Sequence, residues 1–232
     1  MSDDLVSTVL NAGCDFPWSD GLFGHLERYI GTADHFLAIA QDLQSKSLAE
    51  ALNSELDPVA VRELAYELER LQGADLKSNR RLIWGGLLVS IYAAFEQSSA
   101  QIFAHLQVAA GSAAFKIGRR ENLIAATARH STVNVGIEIF DTSVELGCLD
   151  QLRMLRKSFV HSGGKIVALP PDVWSAIQMT KGTGFPLEDH DERWCANAFA
   201  ALHYLKVARR VMQRFSGKAF DKCLAGKNDG II

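Results

Sequence analysis

Apolar residues recur every three or four positions over most of this chain, which is the spacing that one face of an α-helix produces. The first pattern begins near His25 and continues to Leu43. The second has a start signal and a stop signal, with Asp57 as N-cap, Pro58 in the first turn and Gly73 just past the last turn. Both segments are expected to be scaffold helices.

The longest apolar pattern extends over residues 76 to 108 and predicts another helix. At about 100° per residue, Glu96 falls within its apolar stripe, one turn after Tyr92. A buried carboxylate is costly unless a cation or several donors meet it, so Glu96 is expected to have a partner. In the same helix, the pair Gly85-Gly86 would allow a neighbouring helix to approach closely.

Further helical patterns cover residues 113 to 130 and 149 to 161. Between them, Thr132 or Asn134 is expected to cap a short helix that ends at Gly147. These helices add to an almost wholly helical scaffold.

One region, from Lys165 to about Asp189, lacks helical spacing. Its prolines and glycines predict one or two short extended pieces around a turn, with one helical turn at 174 to 179. A final long helix is expected from Asp189 to Phe215. The run Asp189-His190-Asp191 could be read as a metal-binding cluster, but it more readily caps and begins this helix.

These patterns predict an all-α fold, an up-and-down helical bundle with a short extended or β excursion before the last helix. Residues 1 to 75 are expected to form an N-terminal helical extension, residues 76 to 218 the helical domain, and residues 219 to 232 a frayed tail.

Composition is that of an ordinary soluble protein, with 48% apolar and 22% charged residues. The longest weakly polar run, residues 82 to 95, is shorter than the ~20 residues that a membrane-spanning helix needs. The acidic start of the chain does not resemble a secretory signal, so a cytoplasmic location without membrane contact is expected.

The cysteines are scattered and are expected to be reduced thiols, with no zinc site. They are Cys14, Cys148, Cys195 and Cys223.

Charge is distributed unevenly along the chain. Residues 1 to 76 carry a balance of -10, and residues 77 to 232 carry a balance of +7. A polyanion would therefore meet the C-terminal two thirds, unless the two parts simply attract each other. The candidate RNA-binding cations are Arg119, Arg120, Arg209, Arg210 and Arg214. Those in the last helix could equally be placed to stabilise the negative end of its backbone dipole.

The strongest candidates for catalytic or binding residues lie between Leu149 and Lys165. A helical stripe there places Arg156 near the core, where Glu96 is its natural carboxylate partner. His161 lies five positions later, about 140° round an ideal helix. Two glycines then end the helix, and a distorted last turn would let the imidazole point differently.

Each of these residues has a structural interpretation beside a functional one. Arg156 and Glu96 could be a buried pair that fixes helix register, and His161 could simply interact with the helix C-terminus. Together, however, a guanidinium that is never neutral, a histidine that titrates near neutral pH and a glycine pair suit phosphate chemistry.

The motif Arg156-Lys-Ser-Phe-Val-His161 resembles the Arg-x4-His signature of the HEPN superfamily, the higher eukaryotes and prokaryotes nucleotide-binding domains. The helix containing Tyr92-Ala-Ala-Phe-Glu96 and the helix ending in Val-His-Ser-Gly-Gly look like the two central helices of that family. The resemblance covers residues 76 to 218, which would make them a HEPN-like bundle.

The resemblance implies a homodimer in which two Arg-His pairs meet in one cleft, and a metal-independent endoribonuclease without a cofactor. His161 would act as general acid or base toward the ribose 2′-hydroxyl or the leaving oxygen, and Arg156 would stabilise phosphoryl charge. Supporting roles would fall to Tyr92, Glu96, Lys157 and Ser162. Such proteins are found as toxins or defence components, so RNA, an antitoxin or a nucleotidyltransferase-type protein are the implied partners.

Lys157 departs from the family pattern, which usually has a small polar residue, most often asparagine, after the arginine. A lysine here could contact a phosphate or mark a member without catalysis. The alternatives are therefore a silent HEPN module that binds RNA, nucleotide or protein, and a helical interaction protein in which Arg156 and Glu96 are structural.

Overall fold

The computed structural model of the protein describes residues 20–52, 58–119, 121–179, 187–190 and 192–228. In that part of the chain the fold is all-α, with a short strand excursion before the last helix, as predicted. The α-helices are α1 (Asp20–Leu52), α2 (Pro58–Ala109), α3 (Leu123–Arg129), α4 (Ser143–Ser162), α5 (Pro171–Met179) and α6 (Ala198–Asn228).

The shorter elements lie between these helices. A π-helix spans His130–Val135 and a 3-10 helix spans Ile166–Ala168. Strands β1 (Glu188–His190) and β2 (Arg193–Cys195) pair antiparallel, with Asp189 opposite Trp194. None of the described helices is both long and apolar enough to cross a bilayer.

The second and third predicted helices are one continuous helix, α2. The predicted end at Gly73 is wrong, because one glycine costs a helix interior only about 1 kcal/mol and helix-forming residues continue on both sides. The helix also runs unbroken across the predicted domain boundary at 75/76. Asp57, the predicted N-cap, lies outside the described residues.

The helix predicted over 113 to 130 begins only at Leu123. Asn122 sets that start, since its side chain accepts a hydrogen bond of 2.9 Å from the Ala125 amide. Thr132 and Asn134 do not cap a new helix, because both lie within the π-helix.

Helix α4 contains the predicted helix over 149 to 161 and starts earlier, at Ser143. Gly147 therefore lies inside α4 and does not end a separate helix. The Thr142 hydroxyl caps the start by accepting a hydrogen bond of 3.3 Å from the Glu145 amide.

The excursion after α4 differs in detail from the prediction. Residues 166 to 168 form a 3-10 turn where an extended piece was expected, and α5 extends the predicted helical turn at 174 to 179. Asp189 and His190 lie in β1, so they do not begin the last helix, and Asp191 is outside the described residues.

The last helix, α6, has a different cap and a later end than expected. Asn197 accepts a hydrogen bond of 2.9 Å from the Ala200 amide and so provides the N-cap. The helix continues through Asn228, past Lys218, where a frayed tail was predicted.

The chain divides into two compact units. The first takes the described residues of 1–25, 91–153 and 204–232, and the second takes those of 26–90 and 154–203. In the first unit, Phe103 stacks on Phe115 at 4.4 Å between ring centroids and meets Phe215 at 4.9 Å. In the second, Trp84, Leu88 and Trp194 are almost fully buried.

Candidate anion-binding site at the end of helix α4

Helix α4 ends in two consecutive left-handed residues, Gly163 with φ 60° and Gly164 with φ 80°. Their amides donate back into the last turns, from Gly163 to the Phe159 carbonyl at 3.0 Å and from Gly164 to the Ser158 carbonyl at 3.1 Å. Only glycine adopts this conformation without strain, so the two glycines determine where the helix stops.

Strand β2 holds this glycine turn in place. The Trp194 amide donates to the Gly164 carbonyl at 3.0 Å, and the Ile166 amide donates to the Glu192 carbonyl at 2.8 Å. An isolated antiparallel bridge also joins Lys165 to Arg193. The excursion between α4 and α6 therefore returns to pack on the end of α4.

Side chains reinforce the same junction. The Trp194 Nε1–H donates to the Ser158 hydroxyl at 3.2 Å, and that hydroxyl donates to the Lys165 carbonyl at 2.9 Å. The rings of Phe159 and Trp194 lie 5.7 Å apart. Because Ser158 and Trp194 are buried, these bonds are shielded from water and fix the turn that follows His161.

His161 is exposed in the last turn of α4, and Arg156 is half-buried one and a half turns earlier. Both residues lie within α4, and five positions on an ideal helix separate two side chains by about 140°. On that geometry a single chain does not bring Arg156 and His161 onto one face, and a different direction of the imidazole in the last turn stays a prediction. Ser162 is half-buried at the helix end.

Lys157 shares the exposed face with His161. The two residues are four positions apart, which places them on neighbouring turns of the same side of a helix. Both are exposed. The residue that departs from the family pattern is thus the one next to the candidate catalytic histidine.

Two further cations at this site, Lys165 and Arg193, were not predicted from the sequence. Lys165 is exposed. The Arg193 Nη1 lies 3.8 Å from where a Cβ on Gly163 would stand. No sequence signal indicated Arg193, because it falls in a segment whose pattern predicted helix. Only the pairing of β2 with residues 164 to 166 reveals its position.

The basic cluster at the α4 end therefore consists of Lys157, His161, Lys165 and Arg193. Among the residues that the structure describes, none of the four forms an ion pair. The exposed Glu192 is the acidic neighbour of Arg193 in the chain. Positive charge around a constrained backbone turn, with no ion pair to an acidic side chain in the described part of the chain, is suited to binding phosphate.

The supporting residues Tyr92 and Glu96 lie on α2 in the first unit, where Tyr92 is buried and Glu96 is half-buried. Glu96 and Arg156 both make interactions within the protein. Their mutual pairing stays a prediction.

The candidate RNA-binding arginines have different surroundings. Arg119 is exposed, Arg120 lies outside the described residues, and Arg209 is half-buried and interacts within the protein. Arg210 is 64% exposed, with Nη1 3.9 Å from a Glu145 oxygen. Of these, Arg119 and Arg210 are the most open to an external phosphate.

Arg214 is engaged inside the first unit. Its Nη1 donates to the Glu145 carboxylate at 2.8 Å and to the Ile139 carbonyl at 2.7 Å, and its Nη2 pairs with Asp141. Burial alone would raise the pKa of Glu145, but the Arg214 hydrogen bonds and the Asp141 amide outweigh it and lower that pKa. The structure thus gives Arg214 a role within the fold, and RNA contact by it stays a prediction.

His130 is a buried residue of the core. Its Nε2 is 3.1 Å from the Ala113 carbonyl, and its Nδ1 is 2.8 Å from the Asn134 amide nitrogen. Because a carbonyl only accepts, Nε2 carries the hydrogen and Nδ1 accepts from Asn134, which gives a neutral ring. Burial lowers the pKa of His130 in agreement with this tautomer.

The described cysteines offer no activated nucleophile. Cys148, Cys195 and Cys223 are free and buried. Burial raises the pKa of Cys148 to about 12. Nor does the described part of the chain contain a group of three or more histidine, cysteine or acidic side chains arranged to hold a metal.

Comparison of the chain with protein-family models, with curated proteins and with solved structures gave no match. We therefore infer the function from the residues around the end of α4.

Proposed function

We propose that the protein is a metal-independent endoribonuclease of the HEPN type. The observation that supports it most is the exposed His161, in the last turn of α4 beside the exposed Lys157 and above the left-handed glycine turn. An exposed imidazole next to cations can exchange a proton with a ribose hydroxyl while the cations hold the phosphate.

In the proposed reaction the ribose 2′-oxygen attacks the adjacent phosphorus and the bond from phosphorus to the 5′-oxygen breaks. One imidazole takes the 2′-hydroxyl proton, and a second gives a proton to the departing 5′-oxygen. The products are a 2′,3′-cyclic phosphate and a 5′-hydroxyl, so charge and protons balance. DNA is spared because it lacks the attacking hydroxyl.

A homodimer is part of this proposal. Within one chain Arg156 and His161 lie on different faces of α4, so one chain does not assemble the whole constellation. Two copies would supply two histidines for the two proton transfers and two arginines to stabilise the phosphoryl charge. A cytoplasmic toxin or defence role, with an antitoxin or nucleotidyltransferase-type partner, fits an enzyme of this kind.

The test is incubation of the purified protein with structured RNA in chelator. We expect cleavage that leaves cyclic phosphate ends, and a loss of about 10²- to 10⁴-fold in His161→Asn. His105→Asn is the matched control, because His105 is an exposed histidine on another helix, α2, and lies outside the site at the end of α4. Uncut RNA, or equal cleavage by His161→Asn, would overturn the assignment.

The Arg156→Lys variant distinguishes a role of Arg156 in the reaction from a role in folding. It keeps the charge but loses the planar donor geometry, so a folded protein with weakened cleavage supports phosphoryl stabilisation by Arg156. If Arg156→Ala unfolds while Arg156→Lys stays fully active, Arg156 is a structural residue.

The second candidate is a HEPN module that binds RNA without cutting it. The exposed Lys157 favours it, since an extra cation beside His161 strengthens phosphate binding. This function predicts RNA binding that falls steeply with salt, intact RNA, and affinity that is unchanged in His161→Asn.

A further inference from the structure

Helix α1 carries two apolar faces in the second unit. One is buried, with Leu26 7%, Ile30 1% and Leu37 5% exposed. The other is open to solvent and is formed by Tyr29, Phe36, Ile39 and Leu43, which are 63%, 61%, 46% and 57% exposed. Single exposed hydrophobic residues are ordinary, but four along one helix face mark an interaction surface.

The exposed residues have the spacing of a coiled-coil seam. Tyr29, Phe36 and Leu43 are seven apart, which corresponds to heptad position a. Ile39 and the exposed Thr32 occupy the matching d position. This set of five residues, the α1 seam, fits another helix better than a flat surface or a small ligand.

The charges beside the α1 seam indicate which helix it accepts. Arg28, His35 and Asp42 precede the three a residues and form one exposed flank. In an antiparallel pair of identical helices, this flank faces itself. Arg28 of each copy then meets Asp42 of the other, and His35 lies at the two-fold axis. A parallel pair would instead place this flank against Ala33 and Ala40, which carry no charge.

We propose that the α1 seam binds a second copy of this chain through an antiparallel, two-fold contact between α1 helices. Arg28 makes an interaction within its own chain, and Asp42 pairs with Lys46 at 2.7 Å. The Asp42 and Lys46 side chains are largely exposed, so this pair does not occupy the seam, and pairing between copies would replace interactions that Arg28 and Asp42 already make. The contact needs nothing from the site at the end of α4, and it stands whether or not the protein cleaves RNA.

The test is sedimentation equilibrium of the full chain across a wide concentration range. We expect a dimer, and a rise of at least about 10-fold in its dissociation constant for Phe36→Glu. Leu82→Glu is the matched control, since Leu82 is 56% exposed on α2 and lies outside the seam. Circular dichroism of each variant confirms folding before its mass is interpreted.

A charge exchange tests the antiparallel register. Arg28→Glu and Asp42→Arg should each weaken the dimer, because each sets like charges against each other twice. The double variant restores opposite charges and should recover the affinity. A short bis-maleimide should also link His35→Cys chains in a Cys14→Ser background, where the three described cysteines are buried.

Three results would overturn the proposal. One is a protein that stays monomeric at every concentration. Another is a dimer that Phe36→Glu leaves intact. The third is protection of Tyr29 and Phe36 from surface labelling in a monomer. The α1 seam would then be covered by residues 1–19 of the same chain or by another protein.

Discussion

The ring of Phe159 on α4 lies over Gly85 on α2, in the space that a Cβ atom at position 85 would occupy. Position 86, in contrast, has no atom near its missing Cβ. The expectation that Gly85-Gly86 allows close approach of a helix is thus confirmed for Gly85, and this contact holds α4 at Phe159, between Lys157 and His161 in the sequence.

Gly85→Ala should destabilise the protein by about 1 to 3 kcal/mol, because the added methyl group overlaps the Phe159 ring. Gly86→Ala is the matched control and should stabilise by up to about 1 kcal/mol, since alanine favours the helix and meets nothing. Urea midpoints measure both. Equal midpoints for the two variants would contradict the close packing of Phe159 on Gly85.

Arg214→Met should cost about 3 kcal/mol, because it leaves the buried Glu145 carboxylate without its closest cation. Arg210→Met should cost less than about 1 kcal/mol, since Arg210 is exposed and more distant from Glu145. Chemical denaturation at pH 7 compares them, and a similar loss in both variants would show that the Arg214 contacts contribute little.

The lowered pKa of Glu145 also predicts a dependence on pH. Its stabilising contribution is complete above the ordinary glutamate pKa and is lost as the pH falls through the lower folded-state pKa. The free energy of unfolding of the Glu145→Gln variant should therefore fall less steeply below pH 4.5 than that of the natural protein. An unchanged slope would count against a charged Glu145.

His130 should destabilise the fold in mild acid. Its pKa is lowered by burial, so the unfolded chain binds a proton more readily, and stability falls as the pH drops below about 6.5. Nitrogen NMR should show the neutral ring with hydrogen on Nε2 at pH 7. The exposed His105 serves as control, and His105→Gln should change the pH dependence of unfolding less than a substitution of His130.

If Arg193 binds a phosphate, Arg193→Met should weaken RNA binding and reduce the slope of log affinity against log salt by about 0.7. Lys46→Met removes an exposed cation from α1 and should leave that slope unchanged. Fluorescence anisotropy across a salt series measures both. An unaltered slope in Arg193→Met would remove Arg193 from the site while leaving the cleavage test to decide on His161.

The sequence predicted the helical class and helix α4 because these depend on local apolar spacing and on the stop at Gly163 and Gly164. It did not predict the continuity of α2 through Gly73, because the weak preference of one glycine was outweighed by its neighbours. Arg193 was missed for another reason. Its position depends on a backbone pairing with Lys165, and pairing between distant segments leaves no local pattern.

Helices α1, α2, α4 and α6 each begin in one compact unit and continue into the other. No single stretch of the chain therefore encodes either unit. A continuous piece of the gene that encoded all of the second unit, residues 26–203, would also carry residues 91–153 of the first unit without the rest of it. A continuous piece that holds every described part of both units has to run from α1 to α6.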